Sequence, residues 1–110
     1  MAAESKLESK LVKGVERLGG ICVKMKPQSR DGWPDRQAFF PNRLSYFIEM
    51  KAPGKTPDKL QEIVIEDLRQ LGQAVWVIDC EELINIFLKR VSYEMECMAL
   101  SKDSGTAHNG

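Results

Sequence analysis

Hydrophobic residues near the N-terminus recur with the period of a helix. Four of them follow one another at intervals of four, four and three residues: Leu7, Leu11, Val15 and Leu18. This spacing places them on one face and predicts an amphipathic helix over residues 4–18. The pair Gly19-Gly20 would end the helix with a left-handed C-cap. Gly14 lies inside it, where glycine costs about 1 kcal/mol relative to alanine, so we expect a close packing contact there.

Four further segments have the patterns of strands. Residues 21–26 alternate between apolar and polar side chains, which is typical of a strand with one buried face. Residues 36–40 and 45–51 are predicted to form a hairpin that is joined through Pro41-Asn42-Arg43. Residues 74–78 are nearly all apolar, as expected of a strand that is covered on both faces.

Two more helices are predicted, over about residues 58–71 and 80–90. Their buried faces would consist of Leu60, Val64, Leu68 and Leu71 in the first and Leu83, Ile84, Phe87 and Leu88 in the second. Because a helix separates the hairpin from the last strand, a right-handed crossover would place residues 74–78 parallel to residues 45–51. The order α-β-β-β-α-β-α predicts an α/β sandwich with helices packed on a mixed central sheet.

The length and composition are those of one soluble domain. We assign this domain to residues 1–100 of the 110 and expect the small, polar residues 101–110 to form a disordered tail. No apolar run approaches the roughly 18 residues of a membrane-spanning helix, and the N-terminus lacks the apolar stretch of a signal peptide. The odd number and wide spacing of Cys22, Cys80 and Cys97 favour reduced thiols in the cytoplasm.

The net charge of zero conceals a difference between two parts of the chain. Residues 1–60 contain twelve Lys or Arg and seven Asp or Glu, a net charge of +5, whereas residues 61–110 contain four and nine, a net charge of −5. A basic half fits a polyanionic ligand, because phosphate neutralisation supplies most of the non-specific affinity for nucleic acids. Charge blocks are common on protein surfaces, so this pattern alone indicates DNA binding only weakly.

Two short segments together bring two acids and a lysine into a pattern that indicates a metal site. Pro34-Asp35 precedes the first hairpin strand, and Glu49-Met50-Lys51 ends the second. Side chains alternate along a strand, so the acid and the lysine of the second segment share one face. Carboxylates suit Mg²⁺ or Mn²⁺, and a nearby lysine can orient a water or offset developing charge, which is the chemistry of phosphodiester cleavage. The alternatives are a turn aspartate and an exposed Glu-Lys pair of little energetic value.

In their order, these motifs resemble those of the PD-(D/E)XK nuclease superfamily, and more narrowly those of its VRR-NUC family, in particular the small stand-alone members of phages and bacteria. The resemblance rests on Gly-x-Pro-Asp-Arg at 32–36, a hairpin, Phe-x-Glu-x-Lys-Ala-Pro-Gly-Lys at 47–55 and a Gln-bearing helix. It covers the chain from about Leu7 to Leu83. It implies a restriction-endonuclease-like core and a cytoplasmic location in a bacterial or phage-infected cell.

The resemblance assigns roles to the residues of the central motif. Asp35 would be the central ligand of the Mg²⁺ or Mn²⁺ ion and Glu49 the second carboxylate ligand. The backbone carbonyl of Met50 would supply a third oxygen. Lys51 would position or activate the attacking water and stabilise the charge that develops on the phosphate.

The resemblance also implicates residues of the two flanking helices. The family places a glutamate three residues before a leucine in the first helix, and Glu8 precedes Leu11 by three. Glu8 would bind the metal directly or through water, with Glu4, one turn earlier, as the competing candidate. Gln61 would line the site from the second helix. The simpler interpretation of each is a solvated residue on a helix surface.

Several residues are candidates for DNA contacts. Trp33 could stack on a base or a sugar, although a buried loop aromatic is equally consistent with its position. Basic side chains that could contact phosphates are Lys24, Lys26, Arg30, Arg36, Arg43 and Lys55.

By resemblance, the chain is expected to be a metal-dependent DNA endonuclease that leaves 5′-phosphate and 3′-hydroxyl ends. The same resemblance implies a homodimer that acts on branched DNA such as the Holliday junction, with residues 91–100 as an open possibility for the dimer contact. The main alternative is a non-catalytic DNA-binding module that retains the nuclease fold. A site-specific restriction enzyme is a weaker alternative, since 110 residues leave little room for a recognition element.

Overall fold

The computed structural model describes the backbone of residues 2–109 and the side chains of residues 5–101. The bounds of its elements are Ala2–Arg17 (α1), Ile21–Lys24 (β1), Arg36–Phe39 (β2), Ser45–Met50 (β3), Lys59–Gln70 (α2), Val75–Ile78 (β4) and Glu81–Asn109 (α3). The element order agrees with the prediction. The predicted C-cap of α1 is also present, because Gly19 has a φ of 86° and the N–H of Gly20 donates to the carbonyl of Val15 at 2.9 Å.

The strands form one mixed sheet in the order β1-β2-β3-β4. β1 pairs with β2 and β2 with β3 in antiparallel orientation, whereas β3 and β4 are parallel. The parallel pair follows from the crossover through α2, as predicted. Arg36 lies opposite Ile48, so the start of β2 meets the end of β3. The mixed α/β sandwich expected from the sequence is confirmed.

On one face of the sheet, α1 and α3 pack together over the main apolar cluster. Leu11, Ile48 and Phe87 are fully buried there. Gly14 of α1 lies directly against the end of the Leu88 side chain of α3, and a Cβ atom at this position would collide with it. The close contact expected at this glycine is confirmed, and it lets the two helices approach each other.

The other face of the sheet carries a smaller apolar cluster beneath α2. Val64, Ile65 and Leu68 of α2 are buried in it, at 4–6% exposure. The prediction for this helix face was partly wrong, because Leu60 and Leu71 are 47% and 75% exposed. The contact stripe is centred between residues 64 and 65, and at about 100° per residue the two exposed leucines lie at its margin.

The third helix is much longer than predicted. The sequence predicts an end near Arg90, but α3 continues to Asn109, into the segment for which a disordered tail is expected. Val91 is fully buried and Met95 packs against the same cluster, so the apolar face continues at intervals of four residues beyond Phe87. The side chains of the last nine residues lie outside the described ones. No helix of the described chain is long and apolar enough to cross a membrane.

Candidate active site

The hairpin brings the two acidic segments together at one end of the sheet. Asp35 directly precedes β2, and Glu49 and Met50 end β3. The backbone N–H of Met50 donates to Oδ1 of Asp35 at 3.2 Å, which fixes the carboxylate beside the end of β3. The carbonyl of Asp35 accepts from the N–H of Met25 at 2.7 Å, which anchors its backbone to the chain that follows β1.

The loop before Asp35 depends on Gly32. Its φ of 80° is in the left-handed region, where a side chain is strained. A Cβ atom at this position would also come within 2.8 Å of Leu60 Cγ and 3.1 Å of the Leu60 carbonyl oxygen at the start of α2. Pro34 is fully buried and restricts the backbone next to the acid. The loop can therefore approach α2 closely only because residue 32 is glycine.

Glu49 is the most buried acid at the site, with 3% of its surface exposed. Its Oε2 atom lies 3.1 Å from Nζ of Lys51 and accepts a hydrogen bond of 2.9 Å from Nε2 of Gln61. Its Oε1 atom is buried and has no hydrogen-bond partner among the described residues. A buried carboxylate oxygen without a partner is costly, so this atom is available to a ligand that the protein itself does not supply.

Gln61 holds its place through the N-terminus of α2. Its Oε1 atom accepts from the backbone N–H of Asp58 at 2.9 Å, and its own backbone N–H donates to Oδ1 of Asp58 at 2.9 Å. This capping box fixes the orientation of the amide, so that its NH₂ group points to Glu49. The sequence did not predict this role of Asp58 in the site, although the pattern Asp-x-x-Gln could have indicated it.

The electrostatic environment disfavours two negative charges at this position. Burial and the nearby charge of Glu49 raise the pKa of Asp35 from 3.8 to about 6. Burial also raises the pKa of Glu49, and Lys51 opposes that increase. Two partly desolvated carboxylates side by side form an environment that a cation would stabilise.

Glu8, the third acid that the resemblance assigns to the metal, is paired with Arg36, and its contact with a metal stays a prediction. It accepts a hydrogen bond of 2.9 Å from Nη2 of Arg36, on the side of the sheet that α1 covers. Among the described residues, no three His, Cys, Asp or Glu side chains are grouped closely enough to hold a metal ion. The competing candidate Glu4 lies outside the described side chains.

The site nevertheless has donors that suit a hard divalent cation. Asp35 and Glu49 supply carboxylate oxygens, one of them buried without a described partner, and the Met50 carbonyl is the third oxygen that the family resemblance implies. Such oxygen donors match the preferences of Mg²⁺ and Mn²⁺. Glu8 contributes to the negative charge around Asp35, since it also raises the pKa of that residue.

The candidates for phosphate contacts have different surroundings. Lys24, Lys26, Arg30 and Lys55 are exposed, as such contacts require. Arg36 is only 9% exposed and is engaged by Glu8, so the structure does not favour the phosphate contact that the sequence suggests for it. The reason is that its position opposite Ile48 points it beneath α1 rather than into solvent.

The environment of Trp33 favours the packing interpretation. Its ring meets that of Phe47 edge to face at a centroid distance of 5.7 Å and packs against the cluster beneath α2. The guanidinium of Arg30 lies 6.0 Å from the indole centroid. The side chain therefore supports the loop that carries Asp35, and its indole N–H has no described partner.

Two comparisons with known proteins indicate the same class of protein, a nuclease. No protein-family model matches the sequence. The chain is 39% identical over 83 residues to "Putative nuclease p44" of Acyrthosiphon pisum secondary endosymbiont phage 1, covering 76% of this chain and 89% of the phage protein. Its fold is similar to that of a solved structure described as a VRR_NUC domain, with a TM-score of 0.76 and 25% identity over 79% of this chain and 95% of that one.

Proposed function

The chain belongs to the VRR-NUC family of nucleases, and we propose that it is an endonuclease that hydrolyses DNA phosphodiester bonds with Mg²⁺ or Mn²⁺. The main support for this proposal is the pairing of Asp35 and Glu49 at the end of the hairpin. Both acids are disfavoured as anions, and the buried Oε1 atom of Glu49 has no described partner. A site built only to bind DNA would not require acids that repel phosphate.

Asp35, Glu49 and the carbonyl of Met50 would hold the cation. When bound, the cation supplies Lewis-acid stabilisation of negative charge on the phosphoryl oxygens. Gln61 keeps the Glu49 carboxylate in place through its 2.9 Å hydrogen bond, and the capping box keeps the amide in place. The protein thereby holds its ligands before substrate arrives, which reduces the reorganisation needed during the reaction.

Lys51 is the residue that we propose to act on the reacting atoms. Its ammonium lies 3.1 Å from Glu49 Oε2 and its side chain is 21% exposed, so it can contact both the acid and an entering phosphate. It would orient the attacking water and offset charge in the transition state. The water oxygen bonds to phosphorus as the bond to the 3′ oxygen breaks. One proton leaves the water and one is taken up by the 3′ oxygen, which gives 5′-phosphate and 3′-hydroxyl ends.

We further propose that the substrate is branched DNA and that the protein acts as a homodimer. Family resemblance is the main support for both statements. The exposed apolar residues of α3 also support self-association, because Tyr93 and Leu100 are 59% and 69% exposed. A two-fold dimer would present two identical sites and could cut two strands symmetrically. Light scattering coupled to size exclusion tests the dimer directly.

A substrate panel tests the proposed activity. We would incubate the protein with synthetic four-way junctions, flaps and linear duplexes, each with Mn²⁺, with Mg²⁺ and with EDTA. We expect cleavage that requires the metal and is fastest on the junction, and no cleavage by Asp35→Ala. Absence of cleavage of every substrate would contradict the proposal, as would undiminished cleavage by the variant. Equal DNA binding in EDTA without any cleavage would instead indicate a binding module.

A further inference from the structure

A basic groove runs between α1 and α3, apart from the candidate active site. It has a volume of about 340 Å³. Four cationic side chains of α1 line it, and all four are exposed: Lys6, Lys10, Lys13 and Arg17. Asn85 of α3 adds an amide to the opposite wall, and no acidic residue is among the described residues that line the groove.

The four cations form one stripe along α1. They follow one another at intervals of four, three and four residues, which at about 100° per residue keeps them within an arc of about 60°. At a rise of about 1.5 Å per residue, the stripe is about 16 Å long. Gly14 lies beside it and permits the close approach of α3 that forms the second wall. The fold therefore presents the cations as a linear array rather than as a scattered surface charge.

These charges are largely uncompensated by the protein. Lys10 pairs with Glu81 of α3, and none of the other three has an acidic partner among the described residues. Neighbouring cations on one helix face repel one another, so a polyanion in the groove would be favourable. No aromatic side chain lines the groove within the described chain, which leaves phosphates rather than bases as the groups it can contact.

The groove and the candidate active site lie on different sides of α1. At about 100° per residue, Glu8, which pairs with Arg36, lies nearly opposite the stripe on α1. The depression that Glu8, Glu16 and Arg36 line shares only Ser9 and Lys13 with the groove. With side chains, a helix is about 10–12 Å across, so a single phosphate cannot contact both surfaces. A phosphate bound along the stripe is therefore a different one from the phosphate that would be cut at Asp35 and Glu49.

We propose that this groove binds the sugar–phosphate backbone of a DNA segment other than the one being cut. The inference rests on the proposed function, and it extends that function by assigning a surface to a second arm of a branched substrate. Contact with phosphates alone makes the groove indifferent to base sequence. The segment at the active site would be selected by the chemistry there, and the groove would add affinity and fix the direction of the second arm.

Salt-dependent binding tests the proposal without relying on cleavage. Fluorescence anisotropy would measure the affinity for a labelled four-way junction and a labelled linear duplex in EDTA, over a series of salt concentrations. The test variant is Lys13→Gln/Arg17→Gln. The matched control is Lys59→Gln/Lys89→Gln, which removes the same charge from exposed positions that do not line the groove. Thermal unfolding of each protein would establish that both variants fold.

We expect the groove variant to bind the junction about tenfold more weakly than the control at 0.1 M salt. The slope of log K against log[salt] should fall in magnitude by about 1.8, or about 0.9 for each lost phosphate contact. The effect on the linear duplex should be smaller, since a duplex at the active site has no second arm. For the control, the changes in affinity and in slope should each be at most about half of those for the groove variant.

Equal slopes for the groove variant and the control would overturn the proposal. So would parallel loss of binding to vesicles of anionic phospholipid with an unchanged slope for DNA, which would assign the groove to a membrane surface. Failure of the proposed function has a different signature, namely no metal-dependent cleavage of any DNA by the unmodified chain. The groove result stands in that case, because it is read from binding.

Discussion

Successive side chains of strand β3 point to opposite faces of the sheet, and the two faces have opposite characters. Tyr46, Ile48 and Met50 point to the face covered by α1 and α3, and at most 4% of each is exposed. Phe47 and Glu49 point to the face that the shorter helix α2 covers in part. The first face stabilises the fold through apolar burial. The second holds charged groups that would be unfavourable on their own, and it can do so because the sheet behind it is rigidly packed.

The α2 face of β3 is where the protein accommodates an unfavourable arrangement. The raised pKa values of Asp35 and Glu49 mean that both carboxylates are less stable as anions here than in water. Such a cost is common at sites built for chemistry and is offset elsewhere in the fold. We therefore expect changes on the α1/α3 face to affect stability and changes on the α2 face to affect activity.

The largest effect on stability is expected for Phe87→Ala. Phe87 is fully buried and its ring meets those of Trp76 and Tyr46 at centroid distances of 5.2 and 5.4 Å. Removal of the ring should lower the free energy of unfolding by about 3–5 kcal/mol. Urea denaturation measures this loss. The neighbouring Ile86→Ala is the control, because Ile86 is 53% exposed and should change stability by less than about 0.5 kcal/mol.

On the opposite face, Glu49→Gln should remove activity and leave the fold intact. The amide keeps the shape of the side chain but loses the charge that would bind the cation, so we expect cleavage to slow about 10³-fold. Unfolding free energy should not decrease, because a buried anion is removed. Glu62→Gln changes an exposed acid of α2 and should leave cleavage unaffected. A loss of less than tenfold at Glu49 would argue against its role as a ligand.

A smaller effect is expected for Gln61→Ala, which removes the hydrogen bond to Glu49. Loss of such a supporting contact should weaken Mn²⁺ binding or cleavage by about 10- to 100-fold. Isothermal titration calorimetry measures the first and a cleavage assay the second. Because Gln61 also belongs to the capping box, Asp58→Ala separates the two effects: it removes the cap but leaves the amide beside Glu49. Equal losses in both variants would attribute the effect to the helix end.

The smallest effect is a pH-dependent change in stability at Asp35. Its folded-state pKa of about 6 lies above the ordinary value of 3.8, so the folded protein loses stability as the pH rises from about 4 to 6. Asp35→Asn removes this loss and retains an oxygen for the N–H of Met50. Allowing for solvent screening, the gain should be on the order of 1 kcal/mol, or about 4 °C in the thermal midpoint at pH 8.

Thermal unfolding across pH checks this prediction. At pH 4 the two proteins should unfold at nearly the same temperature, because Asp35 is then largely protonated in the folded state. Addition of Mn²⁺ at pH 8 should stabilise the unmodified protein and have little effect on Asp35→Asn. A variant that is less stable than the parent at pH 8 would contradict the assigned cause of the pKa shift.

The sequence was most informative where a local pattern decides the structure. The alternation in β3 and the hydrophobic period in α1 predicted both elements to within two residues of their observed ends. The placement of Asp35 beside Glu49 and Lys51 also followed from local rules, since a hairpin necessarily joins the start of one strand to the end of the other. These features need no knowledge of distant contacts.

Predictions that depended on packing between elements were less accurate. The sequence alone does not determine which side of α2 faces the sheet, so Leu60 and Leu71 were wrongly expected in the core. The true end of α3 was missed because contacts of Val91 and Met95 with other elements prolong its buried face. The basic stripe of α1 was not predicted, because the groove that it lines has its second wall in α3.

By itself, the sequence determined the order of the elements, the mixed sheet and the pairing of the acids with Lys51. Only the tertiary structure decided that Glu8 is held by Arg36 and that Glu49 retains a buried oxygen without a described partner. The physical reason is that a period along the chain specifies which side of an element a residue occupies, whereas the partner it meets depends on how separate elements pack. Burial and the neighbouring charges, and hence the pKa values, arise only from that packing.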